Sequence, residues 1–152
     1  MKEILIAIAM FFNLVNYLPS EPPAVNTEGL CEPPRIEMLY TDEEVYIAAQ
    51  MIYGEAGSDW FSDEEMAKVL CVACNRLHNS RYAVYGDTLI EQITYPYQFV
   101  GWHSWNVPSE RHLRVAYSVL WRDSQRQQGC EGVPWETNCC AFYGANGQNH
   151  FY

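Results

Sequence analysis

Glu55 stands in the segment Ile52-Tyr53-Gly54-Glu55-Ala56-Gly57, after apolar residues and before a small-residue turn. Carboxylates are usually spread over solvated helix faces. In apolar surroundings the anion loses hydration, so the carboxyl pKa rises. That is the property a general acid needs near neutral pH. Asp59 and Asp63 follow, and either could supply a second carboxylate that activates water. Both also suit a solvated turn beside a helix N-terminus, which favours acids in any case.

The histidines and cysteines point less clearly to chemistry. Cys71 and Cys74 form a C-x-x-C inside a helical stretch, with no second pair at zinc-like spacing. Small buried helix positions are their expected role, and no metal site or cofactor is implied. A zinc amidase using His103, His112 and His150 lacks an H-x-x-E-H or similar motif. A cysteine peptidase built on Cys71 or Cys74 with His150 would bury its nucleophile in a helix. Cys130 with Cys139 or Cys140 would close a short loop, whereas adjacent Cys139 and Cys140 bond to each other only with strain. His103 and His112 are expected on the surface. His150 suits a sugar hydrogen bond, an orienting contact to Glu55, or plain packing. Trp102-His103-Ser104-Trp105 either stacks on a sugar or covers the core. Gln98 either binds an acetamido group or caps a helix end.

Local signals give the elements that must position these groups. Thr41 and Glu44 form a capping box, and Val45, Ala48, Ala49 and Ile52 continue at helical spacing until Gly54 and Gly57. Ser62 and Glu65 form a second box, opening a helix to about His78. Thr88 to Glu91 starts a short helix that Pro96 ends. Pro108-Ser109 opens a fourth, closed by Gly129. From Val133 to Tyr152 the helical period is lost, and loops with short strands are expected. The sum is a mainly helical α+β domain over residues 38–152.

Composition bounds the function. The chain has 152 residues, enough for one domain, and 49% are hydrophobic, which supplies a core. A net charge of -10 with no basic run excludes nucleic acid or anionic lipid as the main partner. Eleven Tyr and five Trp suit sugar stacking as well as core filling. Lys2 precedes an apolar run from Ile4 to Val15 that is short for a membrane span and fits a secretory segment. Residues 1–18 are therefore read as a signal peptide or short anchor, with export expected and membrane contact only through this segment. Residues 19–37 read as a proline-rich linker.

The order of the patches Tyr53-Gly54-Glu55-Ala56-Gly57, Asn75-Arg76, Tyr97-Gln98-Phe99, Ala141-Phe142-Tyr143 and Asn149-His150-Phe151-Tyr152 resembles the cell wall hydrolase family of spore cortex-lytic enzymes (SleB type). The likeness covers about residues 43–152. It implies a lysozyme-like or lytic-transglycosylase-like single domain, acting on peptidoglycan as a monomer without a cofactor. It implies that Glu55 is the catalytic glutamate. Gln98, Phe99, Tyr143, His150 and Tyr152 would line the glycan cleft, and Asn75-Arg76 would be structural. The family's second Glu, four residues after the first, is Asp59 here, and the turn to the next helix is about two residues longer. The rival functions are a non-catalytic carbohydrate-binding or structural module and an N-acetylmuramoyl-L-alanine amidase.

Overall fold

The computed structural model describes residues 35–57, 60–145 and 148–152; the expected signal segment, most of the linker, Cys31 and Asp59 lie outside them. Helix α1 spans Asp42–Ala56. Thr41 Oγ1 accepts the Glu44 N–H and Glu44 Oε2 accepts the Thr41 N–H, so two orphan amide donors are satisfied reciprocally. Ala48, Ala49, Met51, Ile52 and Ala56 form its buried face. The helix continues through Gly54 to Ala56, so Glu55 sits in its last turn rather than in the turn that follows.

Helix α2 spans Asp63–Leu77 and is buried on nearly all sides, from Met66 to Arg76. A helix apolar around its circumference takes the centre of a bundle. Helices α1, α3 (Leu89–Thr94) and α4 (Glu110–Gln127) pack against it, as does a 3-10 helix at Ser80–Tyr85 that the residue pattern does not announce. Each fully buried aliphatic side chain here, such as Ile52 or Leu70, contributes about 1.5–3 kcal/mol. The second capping box is only half formed. Ser62 Oγ accepts the Glu65 N–H, but the Glu65 carboxylate instead takes the Asn149 N–H at 3.0 Å and docks a strand.

Strands β1 (Phe142–Ala145) and β2 (Gln148–Phe151) pair antiparallel, with Phe142 opposite Phe151 and Tyr143 opposite His150. Side chains alternate across a strand. Phe142 and Phe151 therefore share one face and pack on the core, with the Phe142 ring 6.1 Å from Phe99. Tyr143 and His150 share the other face and are exposed. The mainly helical α+β reading holds, with a two-stranded sheet.

The domain begins earlier than residue 38. Glu37, read as linker, exchanges two hydrogen bonds with Gln128, and the Leu39 N–H donates to Ser124 Oγ. These contacts strap residues 37–40 onto α4, and no sequence signal marks them because the partners lie 85–91 positions away. Among the described residues no helix is long and apolar enough to cross a membrane.

Candidate active site

The loop between α3 and α4 reaches back over the end of α1. Its Gly101 lies against Gly54 so closely that a Cβ on Gly54 would come within 1.8 Å of the Gly101 carbonyl oxygen. Only glycine permits that approach on either side. The contact places the Gly101 N–H 2.7 Å from Glu55 Oε1. Among the described residues this is the only hydrogen bond to the Glu55 side chain.

Glu55 is half-buried. Burial pushes its pKa above the ordinary carboxylate value, while the Gly101 N–H and the Arg76 charge pull against it without cancelling it. The raised pKa expected from the apolar turn is therefore present, and its cause is desolvation.

Arg76 is 7% exposed at the end of α2. Its Nε donates to the Cys140 carbonyl at 2.6 Å and its guanidinium lies 4.9 Å from the Phe99 ring centre. Asn75 donates to the Thr137 and Cys139 carbonyls and accepts from Trp135 Nε1. The Asn75-Arg76 pair thus ties the irregular segment before the hairpin to α2, in keeping with a structural role.

The five expected cleft residues fall into two groups. Gln98 is half-buried, and its Oε1 accepts from Arg76 at 3.4 Å. Phe99 is 4% exposed and belongs to the core, so it offers no free ring face. Tyr143, His150 and Tyr152 are exposed and form a ladder, with Tyr143 and His150 rings stacked at 5.1 Å and Tyr152 6.1 Å from Tyr143. His150 therefore contacts Tyr143, and no hydrogen bond joins it to Glu55.

The fold places the other candidate residues one by one. His112 is buried, not on the surface: it packs edge-on against Tyr53, and its Nδ1 accepts the Ser109 N–H in place of a capping Glu or Gln. Burial, with the Arg111 charge behind it, lowers its pKa. His103 and Trp105 are exposed and stack at 4.4 Å, whereas Trp102 packs against the core. Asp63 is claimed by Arg111 and Arg114, whose hydrogen bonds hold its carboxyl below the usual range. Burial pushes the Cys71 thiol up to about 12 and Cys74 well above its ordinary value, so neither is a thiolate near neutral pH. No disulfide joins Cys130 to Cys139 or Cys140. Among the described residues no three His, Cys, Asp or Glu side chains converge as metal ligands.

A cavity of about 560 Å³ opens elsewhere, where the end of α2 meets α4. His78 and the buried Asp123 line it, with His78 Nε2 2.8 Å from Asp123 Oδ2. The same oxygen accepts from Tyr40 and Gln127, which secures the strap at residues 37–40.

Sequence reasoning missed Gly101, Gln50 and Asn106. The loop residues lie 46–56 positions from their partners on α1, and no local pattern marks them. Comparison with known protein families, with curated proteins and with solved structures finds no match to this chain.

Proposed function

We propose that the protein cleaves the glycan strand of peptidoglycan between N-acetylmuramic acid and N-acetylglucosamine, as a lytic transglycosylase in a lysozyme-like domain. The observation that carries this reading is the Glu55 carboxyl, half-buried in the last turn of α1, with its pKa raised by burial and one oxygen held by the Gly101 N–H. A protonated Glu55 donates to the glycosidic oxygen, the C1–O bond breaks, and positive charge develops at C1 of the muramic sugar. The substrate's acetamido oxygen stabilises C1. The Glu55 carboxylate then removes the C6 hydroxyl proton as O6 attacks C1, which closes the 1,6-anhydro ring and restores the acid.

Of the two candidates for a second carboxylate, Asp63 has its oxygens taken by two arginines, which favours a single-carboxyl route, and Asp59 lies outside the described residues. The substrate lies outside the cytoplasmic membrane, so this reading needs export, for which residues 1–18 are the candidate segment. The exposed Tyr143, His150 and Tyr152 rings favour a second reading, a carbohydrate-binding module without catalysis. No observation favours the amidase.

Mass spectrometry of muropeptides released from purified peptidoglycan by the full chain tests both readings. Anhydro-muramic ends released by wild type and lost in Glu55→Gln are expected. Reducing ends would make the enzyme a muramidase. Binding without release would leave the module.

A further inference from the structure

The α3–α4 loop carries the Gly101 donor, yet it contains no helix or strand that would hold it. Two buried carboxamides do so. Gln50, on α1 and 4% exposed, donates from Nε2 to the Ser104 and Asn106 carbonyls, both at 3.0 Å. Asn106, on the loop and 8% exposed, donates from Nδ2 to the Gln50 carbonyl at 3.1 Å and the Gly101 carbonyl at 2.9 Å. Each amide has two N–H donors, and both donors of both amides are used. A carboxylate at either place would face carbonyl oxygens with no proton to share, and an aliphatic side chain would leave the loop carbonyls of Ser104 and Asn106, or of Gly101, without their donor. The residue types are therefore set by this job. One of the four bonds grips Gly101 itself, whose N–H points to Glu55.

We infer that Gln50 and Asn106 are positioning residues of the Glu55 site: their amide clasp holds the Gly101 N–H on Glu55 Oε1 and so reserves Oε2 as the oxygen that carries and transfers the proton. An oxygen that accepts an N–H is a poor seat for the acid's proton, because donor hydrogens would face each other. Among the described residues, Arg76 from α2 is the charged group whose field reaches the Glu55 carboxyl; the loop contributes a neutral backbone donor. The clasp therefore sets both the site of the proton and part of its affinity, since an N–H on the carboxylate favours the anion. The catalytic meaning of the clasp rests on Glu55 being the acid.

The test is an NMR titration of the full chain, following the Glu55 side-chain carboxyl carbon and the Gly101 amide. In wild type the Gly101 amide proton should shift with the same midpoint as the Glu55 carboxyl. In Asn106→Ala that response should vanish and the Glu55 midpoint should move up. Gln50→Ala is the second variant, with the same expectation. On soluble glycan oligomers kcat should fall with KM little changed, and the basic limb of the pH profile should move up with the Glu55 midpoint. A Gly101 amide that ignores Glu55 in wild type overturns the inference even if neither variant folds. So does an unchanged Glu55 midpoint in a folded variant. Retained cleavage by Glu55→Gln would instead sink the acid assignment, and the titration would still report on the clasp.

Discussion

Gly101 donates its backbone N–H to Glu55 Oε1 at 2.7 Å, across a contact with Gly54 that has no room for a side chain. A carboxyl from one helix and an amide from a distant loop thus form one unit, and its consequences can be measured.

Replacing Glu55 by Gln keeps the shape and an oxygen for the Gly101 N–H but removes the proton. Cleavage should fall by about 10²-fold or more, the usual contribution of a positioned acid. Stability should move the other way. The folded protein holds the Glu55 proton more tightly than the unfolded chain. Stability from this site is therefore full below the ordinary carboxylate value and is lost as pH rises through the raised folded value. Thermal denaturation should show Glu55→Gln gaining on wild type at neutral pH and losing that advantage in acid.

Gly54→Ala forces a methyl into the Gly101 backbone. Overpacking of this kind costs about 1–3 kcal/mol. The Tm should drop and the Gly101 amide resonance should move, with cleavage falling further than the stability loss explains. An unchanged Gly101 resonance would mean that the loop does not rest on α1 as described.

Asp123 is buried, and burial alone would raise its pKa; hydrogen bonds from His78, Tyr40 and Gln127 outweigh it and leave the carboxyl below its ordinary value. Its stabilisation is present above the ordinary carboxylate range and is lost as pH falls through the lowered folded value. Asp123→Asn should cost about 2 kcal/mol at neutral pH, the scale of hydrogen bonds to a charged group. It should also flatten the acid limb of a Tm-against-pH curve. Glycan cleavage per folded molecule should not change, since the strap at residues 37–40 is what this carboxylate secures.

Tyr143 and Tyr152 are 56% and 70% exposed, so truncation to Ala should alter stability by less than about 0.5 kcal/mol. If the ladder holds sugar, the double variant should lose retention on insoluble peptidoglycan while Glu55 still titrates as in wild type. Full retention would remove the hairpin from the binding surface.

The helices were legible wherever the signal is local. Thr41 with Glu44 and Thr88 with Glu91 close their boxes within one turn, and the expected helix starts hold. Glu65 was misread because its partner is Asn149, 84 positions away, and a side chain with a strand to dock does not reach back to its own cap. His112 was misread for a related reason. It caps its own helix through Ser109, but it is buried in the fold, where it also meets Tyr53 on α1. The same division runs through the site. The apolar flank of Glu55 foretells a raised carboxyl pKa, and burial is its cause in the fold. The Gly101 donor and the Gln50–Asn106 clasp come from a loop that a periodicity reading treats as connection only.

The 46-residue separation between Glu55 and Gly101 also bears on the order of assembly. A chain is made from its N-terminus, so α1 and its carboxyl exist well before the loop that seats it. Closing that span costs entropy that only the packed helices between the two ends can offset. The Glu55 site therefore matures with the whole domain rather than with its own helix. A nascent chain, or a fragment cut before residue 101, would carry the glutamate without its Gly101 partner, and if Glu55 is the proposed acid, activity would be withheld until the domain is folded.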